Sequence, residues 1–145
     1  MKPRTTARLY WTLTILFCLM MLADGVAGLM LEKNGQEAIR QLGYPLYIMT
    51  ITGAAKILGA LALLQNQYRT LKEWAFAGFA IDFIGAAASV ALAGMGFGGT
   101  LPALVMTAVL FGLYFLWKRY LISRAQPAGA DEAEAAFATP AAATL

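Results

Sequence analysis

Apolar residues in this chain fall into four long runs rather than stripes. The runs are Leu9 to Leu31, Tyr44 to Leu64, Trp74 to Ala93 and Leu101 to Trp117, of 23, 21, 20 and 17 residues. A helix rising about 1.5 Å per residue needs roughly 20 residues to cross about 30 Å of hydrocarbon, and the fourth run gains length through Lys118 to Tyr120, whose cation can snorkel. A soluble bundle would carry a polar stripe on each helix, and these runs have none. The pattern predicts an all-α protein: a four-transmembrane-helix antiparallel bundle with helices at about 9–31, 44–64, 74–93 and 101–120. The short connections make consecutive helices neighbours. Pro45 and Pro102 fall in expected first turns, where a missing amide proton costs little. The membrane domain spans residues 1–124. Residues 125–145 are alanine-rich, broken by Pro127, Gly129 and Pro140, and carry Asp131, Glu132 and Glu134; they read as a disordered cytoplasmic tail.

Composition sharpens this picture. Hydrophobic residues make up 60% of the chain and charged residues 13%, about half the charge of a soluble domain. The absence of histidine removes His-ligated zinc and haem and the Ser-His and Cys-His nucleophile pairs, and the lone Cys18 cannot form an internal disulfide. No catalytic and no metal-binding residues are assigned. Met20, Met21, Met49 and Met106 read as gap fillers rather than copper ligands. The G-M-G-F-G-G segment, Gly94 to Gly99, lacks the strand and the lysine of a phosphate-binding loop and reads as a flexible outer turn.

Charge placement gives an orientation. Lys2, Arg4, Arg8, Arg69, Lys72, Lys118, Arg119 and Arg124 gather on one side, whereas the other side has only Lys33 and Arg40. Positively charged loops stay in the cytoplasm. A multi-pass protein of the cell (inner) membrane with both termini cytoplasmic is therefore expected. The aromatic residues Tyr10, Trp11, Tyr68, Trp74, Trp117 and Tyr120 suit the inner boundary, and Tyr44 and Tyr47 the outer one. The basic residues flank lipid spans and form no separate domain, so nucleic acid is not a partner. The partners to expect are the lipid bilayer and another membrane protein or a homo-oligomer. The first run follows basic residues, as a signal peptide would, but its apolar stretch is too long and Asp24 would sit at the cleavage site, so an uncleaved helix is expected.

Only Asp24, Lys56 and Asp82, of 19 charged residues, fall inside the runs. Each costs roughly 2.5–3.5 kcal/mol at mid-membrane and needs a reason. Lys56 lies eight residues before the end of the second run and Asp82 eight after the start of the third, so both sit roughly 12 Å from the inner boundary. This predicts a Lys56–Asp82 ion pair facing the bundle interior. Asp24 lies roughly 21 Å from that boundary, offset from the pair, with the long lysine arm or a water as its partner. Thr52, Gly53, Gly59 and Ala60 flank Lys56, while Gly78, Gly85, Ala86 and Ser89 flank Asp82. Such small-residue faces predict a tight hairpin between the second and third helices. Two roles fit these residues: a structural ion pair that fixes register, or a ligand site in which Lys56 donates to a carbonyl or anionic head group and Asp82 sets its charge state. A relay through Asp24 is a third.

Four strings carry a family likeness: L-G-Y-P (Leu42 to Pro45), G-A-A-K-I-L-G-A-L-A-L-L (Gly53 to Leu64), E-W-A-F-A-G (Glu73 to Gly78) and I-D-F-I-G-A-A (Ile81 to Ala87). Over roughly Arg8 to Tyr120 the chain resembles the DoxX-like family of small four-helix membrane proteins. Lys56, Glu73, Trp74 and Asp82 match positions typical of that pattern. Val90 stands where relatives often place a histidine after the residue matching Ser89. The wider superfamily includes a subunit of a thiosulfate:quinone oxidoreductase and membrane partners of redox or assembly complexes. The resemblance thus implies a quinone or a lipid as the ligand class, with no resident cofactor predicted. The leading expectation is a non-enzymatic accessory or hydrophobic-ligand-binding module. A quinone-linked redox complex subunit is the alternative, and a small proton-coupled transporter the second alternative.

Overall fold

The computed structural model describes residues 3–125. They form five helices: α1 (Pro3–Leu29), α2 (Lys33–Gln41), α3 (Tyr47–Leu64), α4 (Arg69–Leu92) and α5 (Gly96–Ala125). All but α2 are long and apolar enough to cross a membrane. The chain is an all-α, multi-pass membrane protein. Of the expected tail, residues 126–145 lie outside the described residues.

Two connections differ from expectation. The loop after the first span contains α2, whose polar sequence K-N-G-Q-E-A-I-R-Q gives no apolar run. Its N-terminus is capped by Glu32, whose carboxylate accepts from the Gly35 N–H at 3.2 Å, and Arg40 occupies its last turn, where a cation suits the helix dipole. The expected flexible turn at Gly94 to Gly99 is mostly the first turn of α5, so Pro102 falls inside that helix rather than at its start. Backbone groups at membrane depth must be satisfied internally, and coiling even a glycine-rich segment achieves this. Gly94, at φ +70°, ends α4: its N–H donates to Ala91 and that of Met95 to Val90. The same double bond closes α1, with Leu31 at φ 52° in the position glycine usually takes.

The four long helices form a ring in which α1 packs on α3, α3 on α4, α4 on α5 and α5 on α1. The second and third spans do not form the expected tight hairpin, because the most extensive packing is between α1 and α3. A Cβ on Gly53 would lie 2.7 Å from the Gly25 carbonyl oxygen and 3.1 Å from the Leu29 nitrogen, and one on Gly28 would lie 3.0 Å from the Met49 oxygen. Gly53 therefore serves the α1 contact. Gly59 faces α4, but through the Phe79 ring, 2.8 Å from where its Cβ would stand. Gly78 and Gly85 would meet nothing within 4 Å and do not pack helices. The reason lies on α4 itself, whose inward stripe is the bulky Phe76, Phe79 and Phe83; Gly78 and Gly85 lie off that stripe and are exposed.

Those rings build the core. Phe17 of α1 meets Phe79 edge-on at 5.4 Å, Phe76 stacks on Trp117 of α5 at 5.6 Å, and Tyr10 stacks on Tyr120 at 5.0 Å. Such pairs add about 0.5–1.5 kcal/mol each beyond area burial. Large apolar side chains cover the perimeter, among them Leu16, Ile81, Leu92 and Phe115, as a lipid-facing surface requires.

Gly53→Ala should destabilise the protein by about 1–3 kcal/mol, since the added methyl meets backbone that can yield only by separating α1 from α3. Gly85→Ala should stay within about 0.5 kcal/mol of the parent. Unfolding of both variants in detergent micelles measures the difference.

Candidate functional site

Lys56 projects from the middle of α3 between two carboxylates. Its Nζ donates to Asp24 Oδ2 of α1 at 2.7 Å and lies 3.5 Å from Asp82 Oδ2 of α4. One ammonium thus ties three helices together. Asp24, set off from the other two by the depth count, is the nearer partner. The glycine contact at Gly25 and Gly53 sets α1 in register with α3 one turn from Lys56, and a four-carbon stem reaches across the remainder. The trio does not face a sealed interior, because the side chains retain 21% (Lys56), 28% (Asp82) and 55% (Asp24) of their accessible surface.

Two cavities meet at Lys56. One, of about 250 Å³, is a groove between α3 and α4, walled by Ile51, Ala55, Gly59, Trp74, Gly78 and Phe79, with Lys56 and Asp82 as its charged groups. The other, of about 230 Å³, lies beside α2 and is bordered by Asp24, Gly28, Glu32, Gly35 and Met49. One ammonium facing two carboxylates leaves acceptor capacity unused, while its own N–H groups remain near the groove. A carbonyl or hydroxyl at the end of an apolar molecule would find both a donor and an acceptor there.

Ser89 is not part of this trio. Its hydroxyl pairs with that of Tyr44 at 3.0 Å, fastening the segment before α3 to the far end of α4. Glu73 pairs with Lys118 of α5, whose ammonium lies 5.0 Å from the centre of the Trp117 ring. Trp74 is 72% exposed and stands at the rim of the groove. Cys18 is buried, its thiol 3.5 Å from the Ala60 carbonyl oxygen.

Lys72 is the charged residue that sequence reasoning misplaced. Counted among the bases of the inner loop, it is only 1% exposed. Its Nζ donates to the Tyr10 hydroxyl at 3.0 Å and to Asn66 Oδ1 at 3.4 Å, and lies 5.5 Å from the centre of the Trp11 ring. The spacing held the clue: Lys72 precedes Phe76, Phe79 and Phe83 by four, seven and eleven residues, and so shares their inward face.

The unequal distances within the trio predict unequal costs. Lys56→Met, which leaves two carboxylates facing each other, should destabilise by about 3 kcal/mol. Asp82→Asn should cost about 1 kcal/mol or less, because Asp24 still holds the ammonium. Added to Lys56→Met, Asp24→Asn should recover more stability than Asp82→Asn does. Detergent unfolding of the single and double variants reads this order, and equal recovery would contradict it.

A sequence model of the DoxX-like family matches residues 12–113, well over half of the chain. The matched segment contains Asp24, Lys56, Asp82 and Ser89. No curated protein and no solved structure matches.

Proposed function

The chain belongs to the DoxX-like family, and from that premise we propose that it is a non-enzymatic hydrophobic-ligand-binding module of the cell (inner) membrane, with both termini in the cytoplasm. The groove between α3 and α4 receives the apolar body of a quinone- or lipid-class molecule, and Lys56 with Asp82 holds its carbonyl or hydroxyl end. The observation that carries this reading is the pairing of an apolar groove with an ammonium that has two carboxylate neighbours. Structural ion pairing needs only one partner and no cavity. Intramembrane ionisable groups that border a cavity lean toward function. The openness at Gly78 also supports the reading, because a side chain there would close the groove to molecules arriving sideways from lipid. Lys56 is the polar anchor, Asp82 orients it, and Asp24 keeps it charged when the groove is empty.

A second reading has one observation in its favour: Lys56 borders both cavities, as a proton relay through Asp24 would require. Proton flux in proteoliposomes that depends on a second solute and disappears in Lys56→Met would support it.

Gly78→Leu tests the main reading without disturbing packing, since its Cβ has open space around it. Organic extraction of the purified protein should yield at least about fivefold less bound quinone or lipid from this variant than from the parent, a loss of about 1 kcal/mol in affinity. Gly85→Leu, outside the groove, should bind as the parent does. Equal recovery from Gly78→Leu and the parent would refute the groove as the binding site.

A further inference from the structure

A cavity of about 380 Å³, larger than either of those that meet at Lys56, lies apart from the trio, at the end of the bundle where α3 ends and α4 begins. Three of its lining residues are cations, Arg69, Lys72 and Arg124, and two are amides, Gln65 and Asn66; none is acidic. Lys72 is the decisive member. It is buried to 1% exposure, and among the described residues no carboxylate pairs with it. Burying an ammonium without a counter-charge is costly, and its neutral contacts, Tyr10 and Asn66, return only part of that cost. The first turn of α4 contributes the same polarity: it carries no acidic residue, and no side chain caps its free N–H groups. Trp117 and Tyr120 line the wall toward the apolar core.

We propose that this cavity binds a phosphate group, that of an anionic phospholipid in the adjoining leaflet, with Lys72 as the deep contact and Arg69 and Arg124 closing around the outer oxygens. Position favours this ligand. The cavity opens at the level where the apolar spans of α3 and α4 end, which is where lipid head groups lie, and guanidinium groups match phosphate oxygens in fork geometry. The site is separate from the α3–α4 groove and does not depend on what that groove holds.

Native mass spectrometry of the full chain released from nanodiscs tests the proposal. The discs contain equal parts of phosphatidylglycerol and phosphatidylcholine, with and without millimolar inorganic phosphate. The parent should retain one phosphatidylglycerol in preference to phosphatidylcholine. Lys72→Met and the surface double variant Arg69→Gln/Arg124→Gln should each reduce that retention by roughly tenfold or more. The double variant removes exposed side chains only, so it remains informative if Lys72→Met fails to fold. Retention unaffected by phosphate supports the lipid as the source. Displacement by phosphate keeps the anion site but overturns the lipid assignment. Equal retention of the two lipids by the parent, or retention undiminished in the double variant, overturns the proposal.

Discussion

The structure depends on one constraint: an ionised group surrounded by hydrocarbon must bring its opposite charge with it. Lys56 meets that constraint with two carboxylates from two other helices, and this arrangement requires α1, α3 and α4 to come within one side chain's reach at the same height. The glycine contact between Gly25 and Gly53 makes the approach of α1 to α3 possible. The ion pair and the small-residue seam are therefore a single device. Widening the seam by a methyl group would move Asp24 away from its ammonium, and losing the ammonium would leave two acids without compensation.

The same device explains why the bundle is asymmetric. On α4 the bulky aromatic stripe faces inward and the glycines lie off it, so α3 and α4 are held apart by the Phe79 ring where α1 and α3 are in backbone contact. The gap left between them is the groove. Asp82 stands at its edge, 3.5 Å from an ammonium that already has a shorter bond to Asp24. A carboxylate at this distance is held less tightly than one at hydrogen-bond distance, and it gives the apolar groove a polar end.

The four spans were legible in the sequence because the bilayer imposes a length and forbids charge, and both leave their mark on consecutive residues. Helix α2 left no such mark, because it is only nine residues long and polar, with Glu32 capping its N-terminus. The equal depths of Lys56 and Asp82 could be counted because a short connection joins their helices and both counts start from the same boundary. Asp24 was harder, since its depth was counted from Tyr10 along a helix of 27 residues that packs against one of 18. The register between them is set by where glycine meets glycine, not by distance from the membrane surface. Small residues alone could not say which neighbour they face; the positions of the phenylalanines decided that, and reading them would also have placed Lys72 in the core.

Lys56 and Lys72 solve the same electrostatic problem in opposite ways, and their positions explain the difference. Lys56 lies at mid-helix, within reach of carboxylates on two neighbouring helices, so its compensating charges are built into the chain. Lys72 lies in the first turn of α4, close to the end of the apolar span, and relies on a phenol, an amide and two aromatic faces. Neutral donors and ring faces steady an ammonium without cancelling its charge. A cation left uncancelled inside a protein produces a field that reaches through the nearest opening, and here that opening also carries two arginines. The fold thus holds one closed charge system, which fastens the helices, and one open system, which attracts an anion from outside the chain.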